Sequence, residues 1–127
     1  MQYGFSKDVA LSYEDTINKV TGELKKEGFG VLTKIDVKDT LKNKIDVDFK
    51  KYSILGACNP TLAYKALQAE EDIGLLLPCN VVVYEKDEKS VVSILNPSLM
   101  KEIVGNESIN SIADEVNEKL QRVLESV

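Results

Sequence analysis

The sequence predicts an α+β fold: a two-layer sandwich in which one mainly antiparallel sheet of about five strands carries two long helices on one face. Three observations predict it. Short β-branched runs alternate with helical stretches along the 127 residues. Two of those stretches, one near each end, carry an apolar face at helical spacing. Two further β-rich runs, from Cys79 to Glu85 and from Val91 to Leu95, are parted only by the charged turn Lys86-Asp87-Glu88-Lys89, which is a hairpin signal.

Taken in order, Tyr3-Gly4-Phe5 makes a short first strand. Ser12-Tyr13-Glu14-Asp15 has the form of a capping box, a hydroxyl followed three residues on by a carboxylate. Behind it Tyr13, Ile17, Val20 and Leu24 form the apolar stripe of a first helix, and Gly28 stops it. Phe29 to Ile35 suits a strand. Asp36 opens a short helix that ends near Asn43 or Lys44, and a third strand runs from Tyr52 to Cys58. Asn59 is a favoured N-cap and Pro60 a favoured first helical residue, so the next helix starts there and runs through Leu62, Ala66 and Leu67 to about Glu71. Pro78 cannot donate to a ladder and sits where the fourth strand begins. Asn96-Pro97 ends the hairpin. The last helix shows one face of Ile109, Ile112, Ala113, Val116, Leu120, Val123 and Leu124, capped by Asn106 or Ser108.

In the hairpin both strand faces are apolar: Val81 and Val83 point one way, Val82 and Tyr84 the other, and Val92 and Ile94 oppose Val91 and Leu95. A half-solvated sheet shows one polar face. The pattern therefore predicts that a second copy of the chain, or failing that an apolar ligand, covers the second face.

Composition narrows the chemistry. The length suits one domain spanning 1–127, with a core that needs no disulfide or metal to form. There is no histidine, which removes Ser-His and Cys-His dyads, imidazole ligands and an imidazole base. The net charge is −5 and Arg122 is the single arginine, against nucleic acid and anionic membrane as partners. No apolar run is long enough to span a bilayer, and the first residues lack the basic start and apolar core of a signal peptide. The expected location is the cytoplasm, where the two cysteines, Cys58 and Cys79, are thiols.

Each cysteine precedes an asparagine, in Ile54-Leu-Gly-Ala-Cys-Asn-Pro60 and in Leu76-Leu-Pro-Cys-Asn-Val-Val-Val-Tyr-Glu85. These segments, with Tyr52-Ser53, Ala63-Tyr-Lys-Ala-Leu67, Ile73-Gly-Leu75, Pro97-Ser-Leu-Met100 and the last helix, resemble the prokaryotic family known as domain of unknown function 302. The resemblance spans nearly the whole chain, with Asn96 where the family usually has Asp. It implies a two-layer architecture of the TATA-binding-protein type, a homodimer, and no particular activity. It marks Gly56, Cys58, Asn59, Pro60, Pro78, Cys79 and Asn80 as signature positions.

The expected function is a small homodimeric binding or accessory module without a cofactor, with Gly56, Cys58, Asn59, Cys79 and Asn80 as candidate ligand-binding positions. The rival is a thiol-dependent enzyme or metal protein using Cys58 and Cys79. Two thiolates fall short of a four-ligand zinc site, and small buried thiols fill cores without further role. If the third and fourth strands are parallel, the thiols lie at opposite ends of the sheet; if antiparallel, they can meet. Asn59 reads as a helix cap, whereas Asn80 ties a loop to a neighbouring strand or lines a pocket. Gly28-Phe29-Gly30 does not extend to a dinucleotide fingerprint, and no phosphate-loop motif is present. Asp46, Asp48, Glu70, Glu71, Asp72 and Lys65 read as solvated charges.

Overall fold

The computed structural model describes residues 2–127. Five strands, β1 (Gly4–Val9), β2 (Gly30–Asp36), β3 (Tyr52–Cys58), β4 (Cys79–Lys86) and β5 (Lys89–Leu95), form one sheet in the order β1-β5-β4-β3-β2. Every neighbouring pair is antiparallel. The helices are α1 (Tyr13–Lys26), α2 (Val37–Ile45), α3 (Pro60–Ala69), α4 (Ser98–Val104) and α5 (Glu107–Ser126), with a 3-10 segment at Glu71–Leu76. The predicted fold class is therefore the observed one, with strands that are antiparallel throughout.

The predicted caps form as the local chemistry requires. The amide of Asp15 donates to Ser12 Oγ at 3.1 Å, and that of Asp39 to Asp36 Oδ1 at 3.0 Å. The Leu62 amide donates to Asn59 Oδ1 at 3.2 Å, and the Ser108 amide to Asn106 Oδ1 at 2.9 Å. Gly28, at φ +84°, closes α1 in the left-handed region that glycine enters without penalty.

Several elements differ from the sequence reading; β5, for instance, starts at Lys89 rather than Val91. β1 runs on to Val9, because pairing with β5 carries the strand past Lys7 and Asp8, which break the apolar pattern. α3 ends at Ala69, and Leu67 is exposed rather than part of its buried stripe. The 3-10 segment and α4 have no counterpart in the prediction. Both are too short for a periodic signal, and α4 starts behind Pro97 with no capping bond from its side chain.

One sheet face is buried along most of its three inner strands. Ser53, Leu55 and Ala57 of β3, Cys79, Val81 and Val83 of β4, and Ser90, Val92 and Ile94 of β5 are all inaccessible. α1 covers this face with Ile17, Val20 and Leu24, and α5 with Val116, Leu120 and Val123. Each such side chain contributes roughly 1.5–3 kcal/mol when fully removed from water. The buried hydroxyls are partnered: Ser53 with the Tyr13 phenol, Ser90 with the Leu11 carbonyl at 2.9 Å, and Thr16 with the Ser12 carbonyl at 2.7 Å. A second cluster, Ala66, Ile73, Met100, Ile109 and Ala113, joins α3, the 3-10 segment, α4 and α5 beyond the end of the sheet. Lys7, on the helix-covered side of β1, donates to the Leu124, Glu125 and Val127 carbonyls and so satisfies the C-terminal end of α5.

The opposite face has no such cover. Tyr52, Ile54, Val82, Tyr84, Ser93 and Leu95 are only partly buried there, and Ser6, Asp8, Thr33 and Asn80 are exposed; Val91, near the hairpin turn, and Gly56 are the buried exceptions.

Gly56 lies in the middle of this open face, opposite Thr33 of β2 and Asn80 of β4. A Cβ at Gly56 would collide with Thr33 Oγ1 and stand 2.8 Å from Pro78 Cγ. The close approach of the Pro78 ring therefore requires glycine. Gly56→Ala is expected to lower stability by about 1–3 kcal/mol in denaturant unfolding. Thr33→Ala in the same chain should recover part of that loss, because one of the two clashes is then gone. An alanine tolerated within about 0.5 kcal/mol would show that Pro78 and Thr33 yield freely.

Candidate functional site

Because β3 and β4 are antiparallel, with Ala57 opposite Cys79, the end of one strand and the start of the other bring the two cysteines together. Both border an apolar cavity of about 30 Å³ between the sheet end and helices α3 and α5, together with Phe29, Leu62, Met100 and Val116. That volume is on the scale of one or two water molecules. Neither cysteine is in a disulfide; Cys79 is buried and Cys58 half-buried. Burial pushes the Cys79 thiol up to about 11, with Cys58 beside it adding to the shift. At pH 7 only on the order of one Cys79 in ten thousand is thiolate, the opposite of an activated nucleophile. Among the described residues, no group of three or more His, Cys, Asp and Glu gathers in a metal-binding arrangement.

The two asparagines diverge. Asn59 faces two ways: Oδ1 accepts from the Leu62 amide to cap α3, while Nδ2 donates to the Glu27 carbonyl at 3.4 Å at the end of α1. A Cβ on Gly28 would lie 3.0 Å from that amide nitrogen, so glycine there also leaves Asn59 its place. An ionised aspartate could cap α3 but could not donate to α1. The same device recurs at Asn106, which caps α5 and donates to the Ala69 carbonyl at the end of α3 at 3.1 Å. Asn96 repeats it, accepting from the Ser98 amide at 3.0 Å and donating to the Gln2 carbonyl at 2.8 Å. An aspartate could not make that second bond as an anion.

Asn80 is exposed on the open sheet face and lines a shallow groove of about 350 Å³ with Tyr3, Ser6, Tyr52, Val82 and Tyr84. The candidate positions thus separate. Cys58, Asn59 and Cys79 border the cavity under α3, Asn80 lies in the groove on the far side of the sheet, and Gly56 is the thin point where Pro78 packs.

The most developed feature of the open face is aromatic. Tyr52 and Tyr84 sit opposite each other and stack, their rings 5.3 Å apart and 5° from parallel. Phe49 extends the row at 6.2 Å from Tyr52, and Lys50 Nζ lies 4.7 Å above the Tyr84 ring. Burial, with Tyr84 and Tyr3 nearby, holds the Tyr52 phenol above its ordinary pKa. The sequence reading placed Tyr84 on the second face but did not single out Tyr52 or Phe49. The signal was present: a tyrosine opening one strand and another near the end of the next become partners once the strands run antiparallel.

The fold and the sequence together place the chain in a known family. The chain belongs to the DUF302 family, since the family model described as "Domain of unknown function DUF302" matches residues 5–127. It is similar to the crystal structure of an uncharacterized conserved protein DUF302 from Bacillus stearothermophilus, with a TM-score of 0.91 and 28% identity over 99% of this chain and 98% of that one. No curated protein matches it. No helix among the described residues is long and apolar enough to cross a membrane.

The Cys79 thiol links stability to alkaline pH. The folded state holds its proton to about pH 11, whereas an unperturbed thiol ionises from 9.0 upward. This contribution is fully present below pH 9 and is lost as pH rises through 11. Cys79→Ala should therefore cost stability at neutral pH, and its deficit against wild type should narrow by on the order of 2 kcal/mol between pH 8 and 11. Native Cys79 should also resist alkylation at pH 7 until the chain unfolds. Rapid native labelling would contradict the buried, protonated thiol.

Proposed function

We propose that the chain is a homodimeric binding or accessory module that works in the cytoplasm, pairing through the helix-free face of its sheet. The observation that carries this reading is the uneven cover of the sheet. One face is buried under α1 and α5, while the other offers Tyr52, Ile54, Val82, Tyr84 and Leu95 to whatever lies opposite. A contiguous apolar and aromatic face is what interfaces use, with tyrosine favoured at their centres. The groove along Asn80, Tyr52 and Tyr84 leaves room for a small-molecule ligand at the same face. Nucleic acid is not proposed as a partner. The net charge is −5, and the single arginine, Arg122, is engaged by Glu27 at 2.8 Å.

The rival reading, a thiol enzyme or metal protein built on Cys58 and Cys79, has in its favour that both thiols border one cavity. Against it stand the protonated state of Cys79 at neutral pH and the small size of that cavity.

Light scattering on purified chain at micromolar concentration should return twice the mass of one chain. Val82→Asp, which puts a charge in the middle of the open face, should return one. A wild-type monomer, or a dimer indifferent to Val82→Asp, would overturn pairing through this face.

A further inference from the structure

The chain has two cysteines and two methionines. Three of these four side chains, Cys58, Cys79 and Met100, border the cavity of about 30 Å³ between the sheet end and the helices. They arrive from three elements: Cys58 closes β3, Cys79 opens β4, and Met100 lies in α4. Buried thiols and thioethers fill cores without further role. Here, however, they gather at one void, and the rest of its lining is nearly free of other side-chain donors. It holds no histidine and no charged side chain, and beside the sulfurs its one polar side chain is Asn59. Both ends of the Asn59 amide are already engaged, by the Leu62 amide and the Glu27 carbonyl.

Such a donor set selects one class of ligand. Oxygen-seeking ions such as magnesium and calcium find no carboxylate in it. Structural zinc takes four ligands, and an iron–sulfur cluster takes four cysteines. Copper(I) is soft, is matched to thiolate and thioether sulfur, and is stable with few ligands. A cavity sized for one or two waters has room for one such ion. A protonated Cys79 and a small cavity weigh against a nucleophile or a larger metal centre, and not against one soft ion, which displaces a thiol proton as it binds. Half-buried Cys58 gives the cavity a way in from solvent. It stands immediately before Asn59, the N-cap of α3, and the positive end of that helix favours the negative charge that two thiolates bring.

We infer that Cys58, Cys79 and Met100 form a binding site for one copper(I) ion, held by two thiolates and a thioether. As the ion binds, two S–H protons leave to solvent and two S–Cu bonds form, with the Met100 sulfur as third ligand. The metal stays copper(I) throughout, so no oxidant or reductant is consumed. The site is separate from the helix-free sheet face. Cys79 belongs to the core under α1 and α5, and Met100 packs among the helices beyond the strand ends. Copper binding and pairing through the open face therefore stand or fall independently.

The test uses the full-length reduced chain without oxygen, with copper(I) supplied as its coloured bicinchoninate complex. Wild type is expected to remove the colour by withdrawing one copper per chain. Met100→Leu, which conserves volume, should keep the fold and weaken binding by about tenfold. Cys58→Ser and Cys79→Ser should each weaken it by at least about a hundredfold. In case a cysteine variant misfolds, X-ray absorption at the copper edge of the wild-type complex provides a second reading. It should show a shell of three sulfurs without nitrogen or oxygen, falling to two sulfurs in Met100→Leu. No copper withdrawn by wild type, binding indifferent to both cysteine variants or to Met100→Leu, or a shell with nitrogen or oxygen ligands, would overturn the three-sulfur site. A monomeric wild type that still takes one copper would overturn the sheet-face pairing and leave this site standing.

Discussion

Two long helices cannot cover both faces of a five-stranded sheet, and the rest of this structure follows from where they went. α1 and α5 both pack on one side, so the inward positions of β3, β4 and β5 from Ser53 to Ile94 are dry apart from Glu85, which is half-buried. The shorter elements, α3, the 3-10 segment and α4, gather with the start of α5 beyond the strand ends, around Ile73, Met100 and Ile109. No long helix remains for the other face, which keeps Tyr52, Val82, Tyr84 and Leu95 half in water.

Concentrating the helices on one side creates a second problem: many helix ends meet in a confined layer, each with unpaired backbone groups. Asparagine resolves it at three junctions, because its amide both accepts and donates. Asn59 joins α1 to α3, Asn106 joins α3 to α5, and Asn96 joins the start of β1 to the start of α4. The Cys-Asn pair in Ala57-Cys58-Asn59-Pro60 is thereby accounted for as structure, with a thiol at the cavity and an amide that fastens two helices. The second pair splits across the sheet, with Cys79 inward and Asn80 outward, as alternation along a strand dictates. The two pairs share a cavity through their cysteines and share nothing through their asparagines.

What was legible in the sequence was local chemistry. The caps at Ser12, Asp36, Asn59 and Asn106, the stop at Gly28, the bounds of β3 and the apolar faces of α1 and α5 each depend on a few neighbouring residues, and each is found. What was not legible depends on pairing between distant segments. Whether Cys58 meets Cys79, and that Tyr52 stacks on Tyr84, are consequences of the antiparallel register of β3 on β4. Lys7 is an ordinary charge in the sequence, and only the β1–β5 pairing brings it under the end of α5. Gly56 could be marked as a signature position, but its reason, the Pro78 ring and the Thr33 hydroxyl where a side chain would be, exists only in three dimensions. α4 escaped because seven residues carry no periodic signal, and its Asn96 cap reads in the sequence as the end of the hairpin.

The central claim is that the open sheet face, and not the thiol cavity or the helical layer, is the surface this protein uses. Pulsed electron-spin distance measurement between copies tests it most directly. A nitroxide is placed at Ser6→Cys on the open face or at Glu118→Cys on the exposed side of α5, both in a Cys58→Ser chain, with native Cys79 left buried. The account predicts a defined intermolecular distance at both positions, shorter for Ser6 than for Glu118. The reverse order, or no coupling between copies at either position, would contradict it.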